Sequence, residues 1–321
     1  MNIRMATVLA LALNAIPITH AQTYPSKALR IVLPFPPGGP TDLLGRQLAQ
    51  TVSVQVGQPV VAENRPGAGG NLGTEIAAKA PADGYTLLLS SNILAISPHL
   101  YRKLPYDTVK DFAPITQVTQ VPNVFISHPS IPVRNLKELV AAARRTPGKL
   151  TFGSGGLGTG QHLAGEMFRS ASKLDMVHVP YKGSGLAMLG MIGGHIDWMV
   201  IGVPPALPQI QAGKVRALAA LAAERLSALP QVPSAGESGF PEYVVTSWYG
   251  MLAPANTPRD IINRLHGEFV KSVNDPATRE RLITGGFEPK TSSPQEWGDF
   301  IKSEITRYGK VIREAKLEVQ P

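Results

Sequence analysis

Short continuous apolar runs alternate along this chain with stretches of helical periodicity, and glycine-rich turns join the two. The first run, Tyr24–Leu33, alternates and then becomes wholly apolar before Pro34-Phe35, as expected of a buried strand in a parallel sheet. Pro36-Pro37-Gly38-Gly39-Pro40 follows, and Thr41-Asp42 opens a helix with Leu43, Leu44, Leu48 and Val52 as its apolar side. Gln58–Ala62 reads as a strand, Glu63–Gly70 as a further glycine turn, Asn71–Ala80 as a helix and Tyr85–Ser90 as a strand. Ser90, Ser91 and Asn92 stand at the carboxyl end of that strand, where open α/β sheets hold ligands.

Ala113–Ser127 is a long β-branched run broken by Pro122, and it reads as a strand passing from one domain into another. The strand–turn–helix pattern then restarts and runs to the strand Val215–Leu221. Tyr243–Leu252 is a second crossing strand. Amphipathic helices follow at Pro258–Asn274, Pro276–Ile283 and Pro294–Ala315, with Thr257 and Ser293 as expected caps. The expected architecture is α/β, with residues 22–121 plus 246–321 in lobe 1 and 122–245 in lobe 2. Two strand connections between lobes make a hinge that can close on a ligand.

The stretch from Lys149 to Arg169 carries the clearest chemistry. A short strand enters Gly153–Gly160, and a helix with Leu163, Met167 and Phe168 inward leaves it. Its glycines allow backbone N–H groups to approach a ligand, and the first turn of the helix offers unpaired donors and partial positive charge. Ser154 and Thr159 add hydroxyls, and no lysine or arginine lies within the turn, so a carboxylate held by neutral dipoles is expected. Gly153, Gly155 and Gly158 satisfy the dinucleotide fingerprint, but no acid ends the following strand, and the phosphate-loop lysine is missing too. The proline-stiffened turn before Thr41 is a second candidate seat of the same kind.

The chain has 321 residues, enough for two cored domains, and a formal charge of +8. Its basic residues are scattered and its aromatics few, so no nucleic-acid partner is expected; a positive field favours approach of small anions. Cysteine is absent, which excludes disulfides and thiolate metal sites. Residues 1–21, with Arg4, the apolar run Ala6–Ile18 and Thr19-His20-Ala21, read as a secretory signal; the product is then exported, and periplasmic in a bacterium. A hydrolase lacks G-x-S-x-G and a zinc enzyme lacks H-E-x-x-H, so neither catalysis nor a metal or other cofactor is expected; a small-anion sensor or an exported hydrolase are the alternatives.

Many ordered blocks resemble one family. PFPPGGPTD at Pro34–Asp42, ENRPGAGGNLG at Glu63–Gly73, LPYDTVKDFAPI at Leu104–Ile115, GSGGLGTGQHLAGE at Gly153–Glu166, HVPYKGSG at His178–Gly185, GGHIDWM at Gly193–Met199 and WYGMLAPANTP at Trp248–Pro258 resemble the Bug family of periplasmic receptors for tripartite tricarboxylate transporters. The resemblance implies the type II periplasmic-binding-protein fold closed around a small organic acid or amino acid, with integral-membrane transporter subunits as partners and a monomeric receptor. It implicates Phe35, Gly38, Gly39 and Asp42 on one lobe, Ser154, Gly155, Gly158 and Thr159 on the other, and Ser90, Ser91 and Asn92 at the floor. Asp197 matches a position that is ligand-facing in some relatives. Asp42 also fits a helix cap, His162 a backbone-bonded core histidine, Asp197 a buried turn acid, and Tyr181 and Trp248 either cleft wall or core.

Overall fold

The structure, a computed structural model, describes residues 24–314 and Leu317, so the expected export signal lies outside the described residues. In the first lobe β1 (Leu29–Leu33), β2 (Val60–Asn64) and β3 (Thr86–Ser91) run parallel, joined by α1 (Pro40–Val56) and α2 (Asn71–Ala78). A helix the apolar pattern did not predict, α3 (Ile93–Leu100), then leads to the long β4 (Phe112–Ser127). The second lobe runs α4 (Leu136–Arg145), β5 (Thr151–Ser154), α5 (Gly160–Ala171), β6 (Val177–Pro180), α6 (Ser184–Ile192), β7 (Trp198–Gly202), α7 (Val203–Gln211) and β8 (Arg216–Ala220). The chain returns through β9 (Thr246–Pro254), then α8 (Arg259–Asn274), α9 (Pro276–Thr284), the short β10 (Glu288–Pro289) and α10 (Pro294–Glu314).

β4 ties the two sheets together. From Phe112 to Pro122 it pairs antiparallel with β9, which in turn pairs with β3. From Asn123 to Ser127 it pairs with β7 on one side and β8 on the other. The return crossing is equally abrupt: the Val245 amide donates to Leu221 of the second lobe, and Thr246 makes the last β9 pair with β4, at Pro122. The side chain of Asn123 fastens this point by donating to the Val245 carbonyl at 2.8 Å.

Each sheet is covered on both faces, which explains the unbroken apolar runs. On β3, Leu87 and Leu89 enter one core with Leu44, Leu48 and Val52 of α1, while Leu88 enters the other with Trp248 and Trp297. In the second lobe Met199 and Ile201 face one core, and Trp198 and Val200 face the other. Leu43, expected on the inner face of α1, is instead 41% exposed, because the buried stripe runs through Leu44, Leu48 and Val52. Ser293 caps α10 with Glu296 reaching back to its amide at 2.8 Å. Thr257 caps nothing; its hydroxyl donates to the Pro254 carbonyl at 2.7 Å.

Gly250 on β9 is where α10 packs down hardest. A Cβ there would lie 2.2 Å from Trp297 Cζ2 and 2.9 Å from the Thr116 carbonyl oxygen. Both neighbours are fixed, so Gly250→Ala is expected to cost about 1–3 kcal/mol of stability by overpacking. Urea denaturation with an unchanged midpoint would contradict this packing.

Candidate functional site

The loops at the carboxyl ends of both sheets meet face to face. A Cβ on Gly183 would lie 2.2 Å from Pro36 Cγ, one on Gly38 3.7 Å from Gly185 Cα, and one on Gly69 2.8 Å from the Leu157 carbonyl oxygen. The cleft is therefore closed, and it encloses a cavity of about 30 Å³. Such a space holds a carboxylate head or a pair of waters. The first lobe lines it with Phe35, Gly39, Thr41, Ser91 and Asn92; the second lobe adds Thr159, Gly160, Gln161 and Ser184. Ser247 and Tyr249, on the same face of β9, complete the floor.

The amino ends of α1, α3, α5 and α6 all contribute lining residues. First-turn N–H groups have no partner within their own helix and carry the positive end of its dipole. Among the described residues lining the cavity there is no charged side chain. The arrangement can accept negative charge through neutral donors alone.

Each seat is held by its own support. On α1, Asp42 accepts from the Gly38 amide at 3.1 Å, from Arg46 Nε at 2.9 Å and from Asn64 Nδ2 at 3.0 Å. Burial raises the Asp42 pKa, but the bonds from Arg46, Gly38 and Asn64 outweigh it and hold the carboxyl below its ordinary value. Gly38 needs its freedom here, with φ at +87°. On α5, Thr159 caps the helix by accepting from His162 N, and its hydroxyl donates to the Gly156 carbonyl at 2.7 Å. Ser154 Oγ accepts from the Gly156 amide at 3.1 Å and pairs with His178 Nε2 at 2.8 Å.

The expected residues therefore separate by role. Phe35, Gly39, Ser91, Asn92 and Thr159 line the cavity. Gly38, Gly155 and Gly158 shape the turns without lining it, and Gly155 instead borders a groove outside. The Asp42 carboxylate is spent on its own turn, and the Ser154 hydroxyl, fully buried, faces His178 rather than the cleft. Ser90 points to the opposite side of β3 from Ser91, where its buried hydroxyl has no hydrogen-bond partner. Asp197 corrects the sequence expectation most clearly. It precedes β7, at the far end of the sheet, and its carboxylate accepts from Thr151 N at 2.6 Å and Thr151 Oγ1 at 3.0 Å. Trp248 is core, donating to Glu304 at 2.7 Å, and Tyr181 borders the outer groove.

Gly160 ends the glycine turn expected to approach a ligand, whereas Thr41, Gln161, Ser184, Ser247 and Tyr249 line the cavity without having been singled out as ligand contacts. Gln161 was within reach, since it stands in the first turn of the helix already read as an anion seat. Ser184 follows Gly183, whose φ of +135° makes a second such turn, but in sequence Tyr181–Gly185 looks like any strand–helix connection. Nothing in the sequence marks Ser247 and Tyr249 as facing across the hinge.

Behind the α5 turn, Phe152, His178 and His162 form a stack with ring separations of 4.7 and 4.3 Å. His162 Nδ1 accepts from the Gly158 amide at 3.3 Å, so both histidines hold the turn from within. Burial, with the neighbouring His162 and Arg169, pushes the His178 imidazole down to about 3; burial lowers His162 as well. Glu166 completes a group of possible metal ligands lying within 4.8 Å of one another. Its carboxylate is bound by Arg169 at 2.7 Å, and stacked rings direct their lone pairs along near-parallel planes, which disfavours a shared ion.

The sequence signature described as "Tripartite tricarboxylate transporter family receptor" matches residues 44–317. BugT of Bordetella pertussis is 38% identical over 302 residues, 93% of each chain. The chain belongs to this receptor family. Among solved structures, periplasmic binding protein BugD is similar to the receptor at a TM-score of 0.90 and 33% identity, covering 92% of this chain and 100% of BugD. Rpa4515 of R. palustris, solved with adipate, superposes at 0.89 with 33% identity, covering 91% of this chain and 98% of that one. The receptor thus has the periplasmic-binding-protein fold, two α/β lobes joined by two crossing strands.

The histidine stack makes stability depend on pH. Folded His178 stays neutral down to about 3, whereas the unfolded imidazole protonates near 6.5. Below pH 6.5 the unfolded chain takes up more protons, so stability falls as pH drops towards 3. His178→Phe is expected to flatten that fall between pH 6.5 and 4 in denaturant titrations; a variant whose profile stays parallel to the parent's would contradict it.

Proposed function

We propose that the receptor holds the carboxylate of a small metabolite in the cavity between the helix amino ends, without turnover, and presents the closed form to a membrane transporter from the far side of the inner membrane. The observation that carries this reading is the enclosed, uncharged cavity onto which α1, α3, α5 and α6 open. A neutral donor to a carboxylate contributes on the order of 1.5–3 kcal/mol when water is excluded. A micromolar ligand needs about 8 kcal/mol net, so a few such bonds suffice once ordering costs are met. The adipate in Rpa4515 is a carboxylate and supports the same ligand class. The signal-like residues 1–21 support export, and among the described residues no helix is long and apolar enough to cross a membrane.

A hydrolase reading has one arrangement in its favour, the Ser154–His178 pair at 2.8 Å. It is disfavoured because Ser154 is fully buried and His178, pushed down to about 3, is a poor general base.

Thermal-shift and calorimetric screening of organic acids tests the proposal. A true ligand at a hundred times its dissociation constant adds about 2.7 kcal/mol of stability and is recovered chemically unchanged. Gly160→Leu, which fills the seat opposite Asn92, is expected to weaken that acid at least a hundredfold while the ligand-free protein stays folded. Asp197→Asn is expected to leave affinity within twofold. No stabilisation by any carboxylate, or hydrolysis of the bound compound, would overturn the reading.

A further inference from the structure

The enclosed seat is too small for a whole metabolite. Its 30 Å³ accommodates the carboxylate head, so the rest of the ligand must lie elsewhere. One larger space lies beside it. A groove of about 750 Å³ shares Phe35 and Pro36 with the seat and lies along the seam between lobes. Its size is that of an ordinary small-molecule site.

The chemistry of this groove is one-sided. Pro66 and Tyr101 of the first lobe face Leu157, Tyr181 and Leu186 of the second, and Lys182 is the one charged side chain among its described lining residues. Leu157 and Leu186 are 40% and 46% exposed, so an apolar tail lying in the groove has apolar surface to cover. The groove exists only when the lobes meet, since its two halves touch where Gly69 approaches the Leu157 carbonyl and Pro36 approaches Gly183. A tail lying in it would bury apolar surface from both lobes and so favour closure.

Resting on the carboxylate reading above, we propose that this groove is the subsite for an apolar tail, and that the receptor prefers acids with an aromatic ring or a chain of several methylenes over compact polar acids. Phe35 and Pro36 line both spaces, so the carboxylate and its tail would lie on either side of them in the bound form. Each buried methylene strengthens binding about fourfold, so a tail of a few methylenes separates the two ligand classes clearly. The absence of acidic side chains in the lining leaves a second, distal carboxylate tolerated beside Lys182.

Calorimetric titration of the full chain with acetate, malate, hexanoate, adipate and benzoate, repeated on Leu186→Glu, tests this. Leu186 is exposed near the start of α6, so the variant keeps its fold while placing a charge in the groove. Hexanoate, adipate or benzoate is expected to bind wild type at least tenfold tighter than acetate and malate. Leu186→Glu is expected to remove at least tenfold from the tailed acids and to leave acetate within threefold. Equal affinity for tailed and compact acids overturns the subsite, as does a variant that weakens all acids alike. A variant that changes none overturns it too. Binding of compact acids alone leaves the carboxylate seat standing, whereas binding of no acid at all overturns both.

Discussion

Helix amino ends from two separate lobes converge on one small space, and this constraint governs the rest of the molecule. A buried carboxylate normally demands a cation, yet a cation must itself be desolvated when no ligand is present. Backbone donors avoid that conflict, because each N–H is a partial charge already fixed by its helix. The cost moves elsewhere: the turns must bring bare backbone to the cleft and hold it there. Asp42 with Arg46 and Asn64 does this on the first lobe, and Ser154 and Thr159 with the stacked His162 and His178 do it on the second. Most conspicuous side chains near the cleft thus serve the backbone rather than the ligand.

The two crossings give the seats their common reference. β4 runs on as one strand while its partners change from β9 to β7 and β8, and Asn123 pins the return crossing beside it. Asn92 adds a tie at the cleft itself, accepting from the Trp248 amide at 2.9 Å and donating to Tyr308 Oη. A change in lobe angle must therefore be absorbed within a few residues around Pro122 and Thr246, whereas the turns ride on rigid sheet ends.

Much of this was legible in the sequence because the signals were local. Apolar runs bounded by glycine and proline marked β1, β3 and β4, and Pro122 sits where the strand changes partners. Helix α3 escaped because Ile93–Leu100 is only eight residues long, buries six of them and contains Pro98, so little marks it as a helix. The glycine turns that enter α1 and α5 were readable from glycine and helix start alone, and both line the cavity. Which atoms face the cavity was not readable. Ser90 and Ser91 are adjacent and point to opposite faces, and Ser154 is turned inward by a histidine 24 residues away. Asp197 carries the same side chain whether it lies at the cleft or at the distant end of β7; only its bonds to Thr151 decide.

The most direct measurement is a high-resolution crystal structure of the receptor with a bound organic acid. One carboxylate is expected in the cavity, its oxygens within about 2.7–3.2 Å of first-turn backbone N–H groups or joined to them through single ordered waters. A carboxylate anchored instead by an arginine or lysine side chain, or lying outside the space between α1 and α5, would contradict it.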